Sequence, residues 1–149
     1  MTDPMSKRKL NAKLHRTEVM LVNRAAVKAR HLVYLLVADK CERYPWKSSP
    51  ILYIGTTEKG VARMAVSAAH RAEDILGRYG TRKFVVRAVT CQRRAGMQTW
   101  RVLEKDLLRR FKLHHGEVPR LNESGKNLNP NHLSRYFSER TLDKILKEF

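Results

Sequence analysis

One acidic residue stands where a helix would otherwise be apolar. Residues 98–113 carry large apolar side chains at intervals of three and four, which predicts a helix whose buried stripe is Trp100, Leu103, Leu107, Leu108 and Phe111. Glu104 follows Trp100 by four residues and therefore lies within that stripe. A buried carboxylate needs a cation, a metal ion or a proton. Two interpretations are open: Glu104 pairs with an arginine at the core edge, or it binds a hard divalent cation, which prefers carboxylate oxygens.

A second predicted helix, over residues 58–76, has a polar line that faces away from its apolar side. Thr56 and Thr57 are candidate N-caps. The apolar stripe is Val61, Ala65, Ala68, Ala69, Ala72, Ile75 and Leu76. The opposite line is Arg63, Ser67, His70 and Asp74. Its periodicity alone favours a solvated face over a catalytic one.

Strands and a third helix must position these residues. Residues 31–38 and 51–54 are short apolar, β-branched and aromatic runs, so we expect buried strands that carry Tyr34 and Tyr53. Residues 83–90 predict a third strand, and residues 138–149 a terminal helix. Together with a basic helical arm over residues 6–29, this order predicts one α+β domain.

The charge indicates a polyanionic partner. The chain of 149 residues has 31 Lys and Arg against 14 Asp and Glu, a net charge of +17. The excess is concentrated in residues 1–30, with a net +6, and in residues 58–112, with a net +9. Such a field attracts a phosphate backbone. Because basic binding proteins without catalytic activity have the same composition, charge does not indicate catalysis.

Several classes of protein are disfavoured. The longest apolar run, residues 32–38, is far shorter than the roughly 20 residues of a membrane helix. The first residues have no apolar segment typical of a secretory signal. Cys41 and Cys91 are fifty residues apart, which disfavours a disulfide framework or a zinc knuckle. We therefore expect an intracellular protein, cytoplasmic or nucleoid-associated, with no membrane partner.

A recognisable pattern begins at Leu52-Tyr53-Ile54-Gly55, with Arg63 eight residues after the glycine. It resembles the second half of the signature of the GIY-YIG nuclease superfamily, and Leu32-Val33-Tyr34 resembles the first half. Further along, Glu104 and Asn122 stand in the order of the family's later site residues. Tyr-Ile-Gly alone is a weak signal, whereas the five residues in order are a strong one. The resemblance covers about residues 31–123.

The resemblance implies a small catalytic domain with a three-stranded antiparallel sheet flanked by helices. The expected organisation is a basic helical arm (1–30), a nuclease domain (31–125) and a C-terminal loop and helix (126–149). Two positions depart from the pattern. Leu32 replaces the first glycine, and Ser67 stands one turn after Arg63, where the family often has His or Tyr. His70 is the candidate substitute for that position.

The implied activity is metal-dependent hydrolysis of phosphodiester bonds. Tyr34 or Tyr53 would act as the base or position the water, with its pKa lowered by Arg63 or Lys59. Arg63 would contact the scissile phosphate, and Glu104 would hold one Mg²⁺ or Mn²⁺. Asn122 would orient a phosphate or ligand. The expected catalytic set is Tyr34, Tyr53, Arg63, His70, Glu104 and Asn122.

The expected partner is DNA, most simply double-stranded, bound by a monomer or a homodimer. Candidate contacts to the phosphate backbone are Lys7, Arg8, Lys9, Lys13, Arg16, Lys59 and Arg71. The alternative is a basic nucleic-acid-binding module that has the same fold and no catalytic activity. Restriction, mobile-element and repair or recombination roles are all open to the enzyme.

Overall fold

A central strand with apolar side chains on both faces organises the domain. The computed structural model describes residues 9–16, 28–78 and 80–149. Its elements in chain order are β1 (Leu32–Arg43), β2 (Ser48–Thr57), α1 (Val61–Arg78), β3 (Phe84–Val89), α2 (Thr99–His115) and α3 (Glu139–Leu146). The strands form an antiparallel sheet in the order β2-β1-β3. The α+β class and the three-stranded antiparallel sheet are thus confirmed.

The two faces of β1 belong to two different apolar clusters. Leu32, Tyr34 and Leu36 pack with Met64, Ala68 and Ile75 of α1. Alternate residues of the strand pack against α2 and α3 on the other face, in a cluster that contains Val33, Leu35, Val37, Leu107, Phe111 and Leu142. Because the strand is covered on both sides, its sequence is a continuous apolar run and does not alternate.

Helix α1 is rotated relative to the predicted stripe. Met64 points inward, whereas Ala65, Ala69 and Leu76 are exposed. An alanine side chain removes little apolar surface from water when it is buried, so the large residues Met64 and Ile75, which lie on the same face, decide which side of the helix is buried. The helix begins at Val61 and not at residue 58, because the Thr57 hydroxyl accepts from the Lys59 amide within a preceding turn.

The prediction of a helix in the N-terminal arm is wrong for residues 9–16, the main part of the arm that the structure describes. Residues 9–16 contain no helix, and Leu10 and Leu14 are 96% and 90% exposed. The apolar side chains have no surface to pack against, and a short isolated helix is marginal in water. The remaining residues of the predicted arm helix lie outside the described residues, apart from residues 28 and 29, which are also not helical.

The C-terminal segment is an integral part of the core. The terminal helix is confirmed over Glu139–Leu146, and the Ser138 hydroxyl caps it by accepting from the Thr141 amide. Leu142 and Leu146 enter the cluster beneath α2. No helix within the described residues is long and apolar enough to cross a membrane.

An ion pair fixes α3 to α2. Arg110 donates from Nε and Nη2 to the two oxygens of Asp143, at 2.7 and 2.9 Å, and His114 Nε2 lies 3.0 Å from Asp143 Oδ1. The hydrogen bonds from Arg110 lower the pKa of Asp143 from 3.8 to about 2. A bidentate, largely buried pair of this kind is stronger than an exposed one.

We expect Asp143 to make the protein sensitive to acid. The pKa of Asp143 is lower in the folded protein than in the unfolded chain, so the unfolded chain takes up this proton first as the pH falls. The contribution of Asp143 to the free energy of unfolding is therefore complete above about pH 4 and is lost as the pH falls to about 2. The loss is about 2 kcal/mol. Asp143→Asn should therefore lower the free energy of unfolding at pH 7 by about that amount and flatten its acid dependence.

Urea unfolding over a series of pH values tests this expectation, with Glu139→Gln as the control. Glu139 is mostly exposed and lies 3.6 Å from Arg110, so its loss should change stability by less than about 0.5 kcal/mol. Equal acid dependence in the parent protein and in Asp143→Asn would contradict the assignment.

Candidate functional site

The Tyr53 ring lies over a residue that has no side chain. A Cβ built on Gly55 would lie 2.5 Å from Cε1 of Tyr53 and 2.9 Å from its hydroxyl oxygen. Tyr53 and Gly55 are two residues apart, on one face of β2. The tripeptide Tyr-Ile-Gly therefore has a steric reason: the glycine makes room for the tyrosine ring.

The second tyrosine reaches the same place from β1. Tyr34 is the residue opposite Gly55 in the antiparallel ladder. Its ring centroid lies 5.7 Å from that of Tyr53, with the planes tilted by 41°. This separation is within the range of favourable aromatic pairs. The structure thus brings together the two tyrosines that the sequence pattern singled out.

Helix α1 contributes a serine and an arginine to this pair. The Ser67 hydroxyl lies 2.8 Å from the Tyr34 hydroxyl and accepts from Arg71 Nη1 at 2.6 Å. The guanidinium of Arg71 also lies over the Tyr53 ring, 4.0 Å from its centroid. We call Tyr34, Tyr53, Ser67 and Arg71 the tyrosine cluster. The sequence analysis predicts Arg71 only as a contact to the phosphate backbone of DNA. In the structure it is part of the tyrosine cluster.

Arg63 and His70 lie outside the tyrosine cluster. Both side chains are exposed, and neither makes a hydrogen bond or ion pair with another described residue. Arg63 precedes Ser67 and Arg71 by one and two turns, so it continues their line towards the start of α1. Ser67, and not His70, contacts Tyr34, so a catalytic role for His70 stays a prediction without a contact to support it.

Glu104 lies half-buried on α2, close to the edge strand β2. Burial raises its pKa, while a hydrogen bond with Thr56 lowers it. Its neighbour Arg101 is paired with Glu58 at 2.7 Å. Within residues 9–16, 28–78 and 80–149, Glu104 forms no ion pair. The charges of Arg101 and Lys105 also lower its pKa. Pairing of Glu104 with an arginine at the core edge is therefore not seen among the described residues, although two basic residues lie near it.

Asn122 has a different role from the expected one. Its side chain is buried, its oxygen accepts from the Ile54 amide at 3.0 Å, and its nitrogen donates to the Ile54 carbonyl at 2.8 Å. These backbone groups lie on the open edge of β2 and require partners. Asn122 therefore holds the strand between Tyr53 and Gly55 in place, and its expected contact with a phosphate is not supported.

The tyrosine pKa moves opposite to expectation. Burial, together with the proximity of Tyr34, raises the pKa of Tyr53 to about 12, and Arg71 only partly offsets this rise. Glu104 is a further contributor to the rise, which places its charge near the Tyr53 hydroxyl. Neither Arg63 nor Lys59 is among the causes. The expected lowering of this pKa by those two cations is wrong in the free protein.

Metal ligands are sparse. The described part of the chain contains no group of three or more His, Cys, Asp or Glu side chains arranged to hold a metal ion. Any cation at Glu104 would take its other ligands from water and substrate, as Mg²⁺ commonly does. Of the candidate phosphate contacts, Lys9, Lys13, Arg16 and Lys59 are exposed, and Lys7 and Arg8 lie outside the described residues.

Comparison with known proteins adds no family assignment. No protein-family model, no curated protein and no solved structure matches this chain. The site must therefore be interpreted from its own geometry. That geometry consists of two tyrosine rings in contact, an arginine linked to them through a serine, and a half-buried carboxylate that forms no ion pair among the described residues.

We expect Gly55→Ala to destabilise the protein through the Tyr53 ring. The added methyl group would clash with Cε1 of Tyr53, so the ring must leave its place and lose its contact with Arg71. Overpacking of this kind costs about 1–3 kcal/mol. In a Tyr53→Ala background the clash disappears, so Gly55→Ala should cost much less.

A double-mutant cycle measured by urea unfolding checks this coupling. The matched control is Gly77→Ala, because a Cβ at Gly77 meets no atom within 4 Å. If Gly55→Ala costs the same with and without the Tyr53 ring, the steric explanation is wrong.

Proposed function

We propose that this chain is a metal-dependent endonuclease of the GIY-YIG type that hydrolyses phosphodiester bonds in DNA. The observation that carries the proposal is Glu104, a half-buried carboxylate within an apolar stripe of α2 that forms no ion pair among the described residues. Burying such a group lowers stability, and groups of this kind are concentrated at functional sites. Its proximity to Tyr53 and its bond to Thr56 place it beside the tyrosine cluster.

Glu104 is the residue that would hold Mg²⁺ or Mn²⁺. A single carboxylate suits a hard cation that keeps several waters and takes substrate phosphate oxygens. When bound, the metal ion supplies Lewis-acid stabilisation of charge on the leaving side. Burial raises the pKa of Glu104 despite the nearby charges of Arg101 and Lys105, and a bound cation would lower this pKa further.

Tyr53 is the tyrosine better placed to handle a water. Its side chain is half-buried, whereas that of Tyr34 is almost completely buried. Arg71 lies over its ring and favours the phenolate, while Glu104 and Tyr34 oppose it. Neutralisation of Glu104 would remove one of the causes that raise the Tyr53 pKa. Tyr34 and Ser67 would hold Tyr53 and Arg71 in register.

Arg63 is the residue proposed to bind the scissile phosphate. Its guanidinium is exposed and without a partner among the described residues, and it lies on the same line of α1 as Ser67 and Arg71. A planar guanidinium binds two phosphate oxygens at once. The net charge of +17 supports a polyanionic substrate, and we propose double-stranded DNA.

A second candidate is a basic nucleic-acid-binding module without catalytic activity. The raised pKa of Tyr53, about 12, favours it, because a phenol with that pKa is a poor base near neutral pH. The engagement of Asn122 with the Ile54 backbone also removes one expected ligand of the substrate. The two candidates differ in whether bound DNA is cut.

We expect the parent protein to cleave plasmid DNA when Mg²⁺ or Mn²⁺ is present and to bind it without cleavage in EDTA. Glu104→Gln should lower the single-turnover rate by about 10²-fold or more and weaken Mg²⁺ binding in calorimetry, with DNA affinity unchanged.

Arg63→Ala should lower the rate by about 10²- to 10⁴-fold, and Arg63→Lys should recover part of it.

The controls are Glu73→Gln and Arg82→Ala, which alter exposed residues without placing a change in the site. Both should cleave at the parental rate. Tight binding of DNA without any cleavage by the parent protein would favour the binding module. Parental cleavage by Glu104→Gln would exclude Glu104 as the metal ligand.

A further inference from the structure

A buried carboxylate outside the tyrosine cluster anchors the loop that precedes α3. Asp106 of α2 is fully buried and accepts hydrogen bonds from the Ser134 amide at 3.1 Å and from the Ser134 hydroxyl. Arg109 Nη1 completes its partners at 3.1 Å. Because a buried charge is stable only when fully compensated, these bonds hold the loop firmly at Ser134.

The two residues after this anchor are displayed to solvent at a conformational cost. Arg135 has a φ of 75°, and it is the single non-glycine residue with a positive φ in the described part of the chain. A left-handed arginine is disfavoured where glycine would be free of strain. Tyr136 follows, with its amide bonded to the Ser134 hydroxyl and its side chain 54% exposed. Strain of this kind occurs where a side chain has a function.

Other arginines surround the exposed ring. The Arg94 guanidinium lies over Tyr136, 5.4 Å from its centroid, and Arg93 lies 6.0 Å from the Trp100 ring. None of Arg93, Arg94 and Arg135 pairs with an acidic side chain among the described residues. Trp100 precedes Glu104 by one turn of α2, so Arg93 lies towards the candidate site.

We propose that Arg93, Arg94, Arg135 and Tyr136, here called the arginine–tyrosine surface, bind a single-stranded segment of nucleic acid. A base stacks on the Tyr136 ring, and the guanidinium groups contact the adjacent phosphates. Exposed aromatic rings among unpaired cations form the platforms on which single strands bind. The surface depends on its own contacts and binds whether or not the chain cleaves DNA.

The direct test measures binding by fluorescence anisotropy in EDTA, so that cleavage does not intervene. The probes are a dye-labelled oligo(dT) of about 12 nucleotides and a duplex of the same length. Tyr136→Ala should weaken oligo(dT) binding by about 5- to 100-fold and leave the salt dependence unchanged. Tyr136→Phe should bind like the parent protein, and duplex binding by Tyr136→Ala should change less than twofold.

The charge contribution is separated by the salt dependence. Arg94→Gln should reduce the slope of log affinity against log salt by about 0.7, the value for one phosphate contact on a single strand. Arg135→Gly relieves the left-handed strain, so it should be at least as stable as the parent protein and yet bind oligo(dT) more weakly.

The controls alter an exposed aromatic residue and an exposed arginine elsewhere. Trp46→Ala and Arg140→Gln should leave oligo(dT) affinity within twofold of the parent value. Parental binding by Tyr136→Ala and Arg135→Gly would overturn the proposal, as would an equal loss for duplex and oligo(dT). Because binding is measured in EDTA and cleavage in a separate plasmid assay, failure of the nuclease proposal and failure of this one are distinguishable.

Discussion

The candidate site depends on the absence of one side chain, at Gly55. Because Gly55 has no Cβ, the Tyr53 ring can lie over the edge strand at Gly55, next to Tyr34 from the neighbouring strand. Arg71 contacts that ring and bonds Ser67, which in turn bonds Tyr34. A displaced Tyr53 ring would therefore disturb its contact with Arg71 and, through Arg71, the hydrogen bonds of Ser67. The backbone conformation at this point is held from outside by Asn122.

A carboxylate and a phenol with unfavourable ionised forms lie close together at this edge. Burial raises the pKa of both Glu104 and Tyr53, and the nearby charges of Arg101 and Lys105 on one side and Arg71 on the other offset this rise only in part. A purely structural site would replace such groups with apolar ones or pair them. Binding of a divalent cation would favour the charged forms of both groups, as the proposed function requires.

Strong periodic signals in the sequence identified most of the fold. The apolar run of β1, the stripe of α2 and the terminal segment 138–149 predicted elements that the structure contains. Glu104 was recognisable because an acid within an apolar stripe violates the pattern. The buried face of α1 was not recoverable, since its alanines carry little directional information and Met64 outweighs them.

The details of the site depended on tertiary contacts that no local pattern records. The resemblance implies that Asn122 contacts the substrate, but its side chain is hydrogen-bonded to Ile54 of β2, 68 residues away in sequence. Arg71 resembled any other basic residue until the fold placed it over Tyr53. The four-residue spacing from Ser67 to Arg71 was the available signal, because it puts both on one face of α1. The arm failed as a helix over residues 9–16 because its leucines have no surface to cover.

The central claim is that the tyrosine cluster and Glu104 together hydrolyse a phosphodiester bond, and Tyr53→Phe tests it most directly. This variant keeps the ring over Gly55 and removes only the hydroxyl group. Single-turnover cleavage of DNA at saturating enzyme and Mg²⁺ should then fall by about 10²- to 10⁴-fold, the usual contribution of a general base. A rate and pH dependence equal to those of the parent protein would show that Tyr53 serves packing alone and would contradict the proposed mechanism.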